Sequence, residues 1–124
     1  MLGTTTALAA CSSSSSPATT RWSELESAKV TVSQPGLPPP GGTPETTTYT
    51  THSELARVTK ALNANHIAKR SESRQSKGCT GGREVEIKIV RVAEPTHVAI
   101  HAYLCAGRQY GDANGDVEGF LAAL

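Results

Sequence analysis

Two histidines and a cysteine recur at every fourth position late in the chain, and their residue types could bind a metal ion. His97, His101 and Cys105 lie in the segment THVAIHAYLC. Because apolar residues alternate with them, the segment predicts a β-strand with both histidines on one face. At about 3.3 Å per residue the histidines are then roughly 13 Å apart, too far for one zinc ion with bonds of about 2.0–2.3 Å. We therefore expect no metal site and interpret both histidines as solvated strand residues.

A second metal-like pattern lies near the end of the chain. Asp112, Asn114 and Asp116 match the first half of a calcium loop of the D-x-[DN]-x-[DN]-G type. That loop requires glycine at its sixth position and glutamate at its twelfth, where this chain has Val117 and Ala123. The same residue types before an apolar helix are typical of a turn and an N-cap. We therefore interpret the segment as a turn that caps a short C-terminal helix.

Residues for hydrolytic catalysis are present but carry no recognisable arrangement. Nucleophilic hydrolysis needs a nucleophile, a base and an orienting group together, and no G-x-S-x-G elbow accompanies the serines and histidines. Glu84 and Glu86 alternate with apolar residues, which indicates the solvated face of a strand rather than a catalytic pair. We expect no enzymatic activity, no catalytic residue and no cofactor.

The overall charge excludes one class of partner. The 124 residues include 12 Lys and Arg against 11 Asp and Glu, a net charge of +1. A nucleic-acid binder needs a strongly basic face, so we expect no nucleic-acid partner. The length allows a single domain.

The chain begins with an apolar, small-residue run that stops at a cysteine before five serines, ALAACSSSSSPATT. Residues 1–10 have the apolar core and small-residue end of a signal peptide but lack its positive first part, which a start upstream of Met1 would supply. Leu8 to Cys11 match the lipobox of bacterial lipoproteins, whose cysteine carries a diacylglycerol.

The serine-rich segment after Cys11 is typical of a solvated, flexible tether. We expect residues 1–10 to be a partial signal peptide and residues 11–27 to be the lipid anchor and tether. The protein would then be extracytoplasmic and attached to the cell membrane through its lipid. The alternative is that ALAAC forms a short buried helical turn or an unprocessed N-terminus.

If Cys11 carries lipid, Cys79 and Cys105 remain as an even pair. An exported domain of this size is where a disulfide is expected, and closing such a loop would stabilise the fold by roughly 3 kcal/mol. Two free buried thiols or a metal site are the alternatives.

Hydrophobic periodicity organises the rest of the chain. Strands are predicted over 28–34 and 46–50, and the Thr51-x-x-Glu54 capping box predicts an amphipathic helix over 52–65. The polar segment 69–78 is interpreted as an exposed loop. Residues 83–92 and 97–105 predict a β-hairpin.

These elements predict one α+β domain over residues 28–124, in which an antiparallel sheet of three to four strands carries two helices on one face. Apolar residues of the sheet should meet apolar residues of the helices. The sheet set is Val85, Ile87, Ile89, Val98, Ile100 and Leu104, and the helix set is Leu55, Val58, Leu62, Phe120 and Leu121.

The order of these features resembles that of small uncharacterised lipoproteins of high-GC Gram-positive (actinobacterial) type. The features are a lipobox, a serine tether, a strand, a helix with ALN near its end (61–63), a cysteine before a hairpin, a second cysteine and a terminal helix. The resemblance runs from about Leu8 to Leu124. It implies a membrane-anchored, extracytoplasmic α+β domain with one disulfide and implies no known activity.

We expect a non-catalytic binding or interaction module whose ligand is an unknown protein or small molecule. The alternative is a small secreted-type protease inhibitor that presents an exposed Arg83 on a loop from Cys79 to Arg83. Two glycines in that loop argue against the inhibitor, because a preorganised loop is what inhibition requires.

Overall fold

The computed structural model describes residues 21–34, 42–75, 79, 81–92 and 97–124. Within them the chain forms a six-stranded antiparallel sheet with two helices, and the strand order across the sheet is β2-β1-β4-β5-β6-β3. The elements are β1 (Leu25–Ser33), β2 (Glu45–Tyr49), α1 (His52–Ala64), β3 (Ala68–Arg74), β4 (Arg83–Arg91), β5 (His97–Cys105), β6 (Arg108–Asn114) and α2 (Val117–Ala122). Neither helix in this part of the chain has the length and apolar character to span a membrane.

The predicted α+β class with two helices and an antiparallel sheet is confirmed, but the expectation of three to four strands is wrong. The two strands that the sequence did not predict are β3 and β6. The segment interpreted as a loop over 69–78 contains most of β3, an edge strand whose residues after Ala68 are exposed or half-buried. The turn expected after the hairpin overlaps the second half of β6, where Gly111, Asp112 and Asn114 disfavour strand formation.

One face of the sheet carries the core. The register places Val30, Ile87 and Ile100 side by side across β1, β4 and β5. Helical side chains cover this row, and Val58, Leu62 and Phe120 are fully buried against it. Every residue of the predicted core is buried or packed against the buried cluster. The opposite face carries Glu84, Glu86, Lys88 and His101, as strand alternation requires.

Helix α1 begins with the predicted capping box. The Glu54 N–H donates to the Thr51 hydroxyl at 3.2 Å, and the Glu54 carboxylate accepts from the N–H groups of Thr50 and Thr51, both at 3.2 Å. These hydrogen bonds, led by the one from Thr51, lower the pKa of Glu54 below its ordinary value. The negative charge also lies at the positive end of the helix dipole.

The helix ends in a Schellman motif. The Ile67 N–H donates to the Leu62 carbonyl at 2.9 Å, and the His66 N–H donates to the Asn63 carbonyl at 3.2 Å. Closing this motif requires the left-handed conformation, which His66 adopts at φ 55°. Leu62 and Ile67 are both fully buried, and they supply the apolar contact that accompanies the motif. Ile67 therefore enters the core after the helix has ended.

Trp22 connects the start of the described chain to this helix end. Its indole N–H donates to the Ile67 carbonyl at 2.7 Å. Its backbone N–H donates to the Asn63 side-chain oxygen at 2.8 Å, and the Asn63 amide donates to the Trp22 carbonyl at 2.9 Å. The Arg91 guanidinium lies 4.4 Å from the indole ring centre, a cation–π contact. Asn63, the last residue of the ALN segment, is thus a clamp for the backbone of Trp22.

The folded region begins earlier in the chain than the sequence analysis predicted. The sequence placed the boundary between tether and domain at residue 28, whereas Trp22 and Leu25 are core residues and β1 begins at Leu25. Trp22 belongs to the core because its large side chain fills the space between Asn63, Ile67 and Arg91, which leaves it only 3% exposed.

We predict that His66→Gly stabilises the protein by about 1 kcal/mol, because glycine adopts positive φ without the steric cost that a Cβ atom imposes. Chemical denaturation measures the change. Ala64→Gly is the matched control, since Ala64 lies in the last helical turn, where glycine should destabilise by about 1 kcal/mol. Equal destabilisation by both substitutions would contradict the strain at His66.

Candidate functional site

The structure joins Cys79 to Cys105 in a disulfide with a Cα–Cα distance of 6.3 Å. The β4–β5 register explains the pairing. Arg83 is opposite Leu104, so the segment before β4 runs beside the end of β5. The closed loop contains the hairpin that the sequence predicted.

Tyr103 holds the segment between the disulfide and β4 at both ends. Its hydroxyl donates to the Cys79 carbonyl at 3.1 Å and accepts from the Gly82 N–H at 3.2 Å. A Cβ atom on Gly82 would lie 2.9 Å from both the Cys105 Cβ and the Tyr103 ring, and it would overlap the Leu104 carbonyl oxygen. Gly82 is therefore required for close packing at this position and does not simply loosen the chain.

Arg83, the residue that the inhibitor hypothesis places on an exposed loop, is the first residue of β4 and half-buried. Its guanidinium donates to the Glu118 carboxylate at 3.0 Å, which ties it to α2. An inhibitor presents its specificity side chain free to enter a protease pocket. The observed position of Arg83 therefore favours a different role.

His97 and His101 lie on β5 with exposed side chains, as predicted. The His101 ring contacts the Glu86 carboxylate at 2.9 Å, and the His101 backbone N–H donates to the Asp112 carboxylate at 2.7 Å. The Lys69 ammonium lies 3.7 Å from the same Asp112 carboxylate. No group of three potential metal-binding side chains occurs within the described residues.

The three residues of the calcium-like pattern take separate partners. Asp116 is the N-cap of α2, where its carboxylate accepts from the Gly119 N–H at 2.9 Å. Asn114 pairs with Ala68 across β6 and β3. Asp112 takes its hydrogen bond from the backbone of β5. The interpretation of this segment as a helix cap is confirmed at Asp116, whereas Asp112 and Asn114 lie in β6 and not in a turn.

A polar groove of about 700 Å³ lies where the helix-bearing side of the sheet extends past α2. We call it the arginine groove, after the four arginines that line it. Its floor comes from β5 and β6, since Leu104 and Gln109 are register partners on the same face as Arg83. The residues that define it are Arg70, Arg74, Arg83, Arg108, Leu104 and Gln109.

The part of the groove floor formed by Gln109 is structurally fixed. Its amide nitrogen donates to the carbonyls of Ala113 at 3.3 Å and Gly115 at 2.8 Å, and its oxygen accepts from the Val117 N–H at 3.0 Å. These bonds hold the turn between β6 and α2. The groove therefore has a preformed floor, which small-molecule sites usually have.

The arginines of the groove differ in their partners. Arg83 is paired with Glu118, whereas Arg70, Arg74 and Arg108 form no ion pair in the part of the chain that the structure describes. The Arg70 Nε atom is buried and has no hydrogen-bond partner. Protein atoms cover this Nε, so the donors that Arg70 can present to a ligand are its Nη groups.

Sequence reasoning missed this groove. Arg70 and Arg74 lie in the segment taken for a loop, and Arg108 lies between the predicted hairpin and the predicted turn, where no element was predicted. The one local signal is the spacing of Arg70 and Arg74, which puts both on the same face if the segment is a strand. Without the β3–β6 pairing, nothing indicates that they lie near Arg108.

A second, more apolar groove of about 960 Å³ runs between α1 and the segment that leads into β1. Val92, 52% exposed, contributes to it together with Leu25, Leu55 and Ala56. It lies beside Trp22, at the end of the fold where the N-terminal segment enters.

Cys11, the predicted lipidation site, lies outside the described residues. A scan against models of protein families, a search of curated proteins and a search of solved structures each returned no match to this chain.

We predict that Gly82→Ala destabilises the protein by about 3 kcal/mol, because the added methyl group must displace backbone and disulfide atoms in a packed site. Gly81→Ala is the matched control. Gly81 has φ 83° and open space around it, so only the backbone cost of about 1 kcal/mol applies. Equilibrium unfolding in denaturant compares the two, and equal losses would show that Gly82 is not tightly packed.

Proposed function

We propose that this chain is a non-catalytic, extracytoplasmic binding module, anchored to the membrane through lipid on Cys11, whose ligand site is the arginine groove. The observation that carries the proposal is the groove itself. It combines a volume typical of ligand sites with charged side chains that have no partner among the described residues.

The disulfide between Cys79 and Cys105 supports the proposed location. Disulfides persist in oxidising compartments, and small exported domains use them to compensate for a limited core. The lipobox at Leu8 to Cys11 and the serine run after it supply the corresponding anchor and tether.

The placement of the groove suits a tethered receptor. The tether enters the fold at Trp22, which contacts Arg91 at the end of β4. Arg83 begins the same strand eight residues earlier, roughly 26 Å away at the rise of a β-strand. The part of the groove around Arg83 therefore lies far from the point of attachment, where a ligand can approach.

The absence of a nucleophile with a base and an orienting group in the described site favours binding over catalysis. The histidine nearest to a carboxylate pair, His101, lies on the open face of the sheet and not in the groove. The groove contributes guanidinium and amide groups, which bind and orient, and its two carboxylates, Asp116 and Glu118, are engaged in a helix cap and an ion pair.

We predict that Cys11→Ser, expressed behind a complete export signal, abolishes fatty-acid incorporation and moves the protein from the detergent phase to the aqueous phase. Two acyl chains contribute about 0.8 kcal/mol per buried methylene, which anchors a protein stably. The melting temperature should not change, because the proposed tether separates Cys11 from the core.

Ser15→Ala, within the same serine run, is the control and should remain labelled. If wild type and Cys11→Ser partition alike and neither takes up label, the lipoprotein proposal is wrong. A large drop in the melting temperature of Cys11→Ser would instead show that Cys11 belongs to the fold.

We predict that compounds from a chemically mixed fragment library shift the backbone NMR resonances of groove residues such as Leu104, Gly107 and Gly111. Asn114→Trp, which places an indole at the exposed edge of the groove, should suppress these shifts. Lys29→Trp on β1, outside the groove, is the control. If no fragment of any charge class shifts the groove resonances, the proposed binding site is wrong.

A further inference from the structure

We propose that the arginine groove binds a multiply charged oxyanion, a ligand with two or more phosphate or carboxylate groups. Arg70, Arg74 and Arg108 are the residues that hold it. This inference rests on the proposed function and specifies the class of its ligand.

The groove carries an excess of positive charge. Four arginines line it against the two carboxylates of Asp116 and Glu118, which leaves an excess of two positive charges. Glu118 pairs with Arg83 at 3.0 Å, whereas Asp116 accepts from the neutral Gly119 N–H at 2.9 Å and keeps its charge. Arg70, Arg74 and Arg108 have no carboxylate partner within the described residues, and like charges in one groove repel each other until an anion enters.

Arg70 offers donors to the groove. Its Nε atom is buried without a hydrogen-bond partner, so packing around the side chain rather than an ion pair holds the guanidinium in place. Because protein atoms cover that Nε, the donors available to a ligand are the Nη groups, which no described residue engages. An anionic oxygen in the groove would accept from these Nη groups.

The choice of arginine identifies the ligand chemistry. Among the described residues the cations that line the groove are all arginines, and the planar guanidinium fork matches the paired oxygens of phosphate and carboxylate groups. An excess of two positive charges is more than one singly charged group can neutralise. The three arginines without an ion pair come from two strands, β3 and β6, so a ligand with several anionic groups would bridge them.

The test is isothermal titration calorimetry of the full chain at low ionic strength with three probes: inorganic tripolyphosphate, citrate and orthophosphate. Tripolyphosphate or citrate should bind more tightly than orthophosphate, because only they bridge several arginines. The tighter of the two polyanions identifies phosphate or carboxylate as the preferred group. Added salt should weaken the binding.

Variants locate the site. Arg70→Gln, Arg74→Gln and Arg108→Gln should each weaken polyanion binding by about tenfold or more, since hydrogen bonds between charged groups are stronger than those between neutral ones. Arg57→Gln on the exposed face of α1 removes the same charge outside the groove and should have little effect. Arg108 is exposed, so its variant should fold even if Arg70→Gln does not.

Arg108→Lys keeps the charge but loses the fork, and it should bind between wild type and Arg108→Gln. Failure of both polyanions to bind, or equal weakening by Arg57→Gln and the groove variants, would overturn the inference. If the groove resonances still respond to uncharged or cationic fragments, the proposed binding function would remain supported, with a ligand of a different class.

Discussion

The C-terminal end of α1 is the point on which the rest of the fold depends. A helix end leaves carbonyl groups without partners, and here distant parts of the chain satisfy the carbonyls at and just after it. The Asp116 N–H binds the Asn65 carbonyl at 3.0 Å, and the Trp22 indole binds the Ile67 carbonyl at 2.7 Å. The same short region therefore fixes the entry of β1, the start of β3 and the start of α2. Gly115 is necessary there, because a Cβ atom would overlap the carbonyls of Asn65 and His66.

Local patterns explain which elements could be predicted. The hairpin of β4 and β5 has strict alternation, and α1 has both an apolar face and the Thr51–Glu54 capping box, so each is determined by residues near in sequence. Strand β3 lacks such a pattern, because as an edge strand it buries little beyond Ala68. Its extended conformation depends on pairing with β6, about forty residues later. The burial of Trp22 could not be predicted from neighbouring residues either, because its partners, Asn63 and Ile67, are distant in sequence.

The candidate site also has one part that the sequence could predict and one part that it could not. On the hypothesis that Cys11 carries lipid, cysteine parity favoured the pairing of Cys79 with Cys105, and the structure contains that disulfide. The arginine groove could not be predicted, because its arginines come from β3, β4 and β6 and approach one another only through the strand order. A net charge of +1 also conceals a local excess of positive charge, since carboxylates elsewhere in the chain balance the sum.

The disulfide constrains only one part of the fold covalently. Its loop encloses β4 and β5 alone, two strands that are already neighbours in sequence. The link therefore restricts the unfolded chain only within one hairpin. The crossing from β2 at one edge of the sheet, through α1, to β3 at the other edge lies wholly outside that loop. Among the described elements, this longest connection is held by side-chain packing and hydrogen bonds alone. Reduction or oxidation of the disulfide therefore acts on the centre of the sheet, and the positions of its two edges depend on α1.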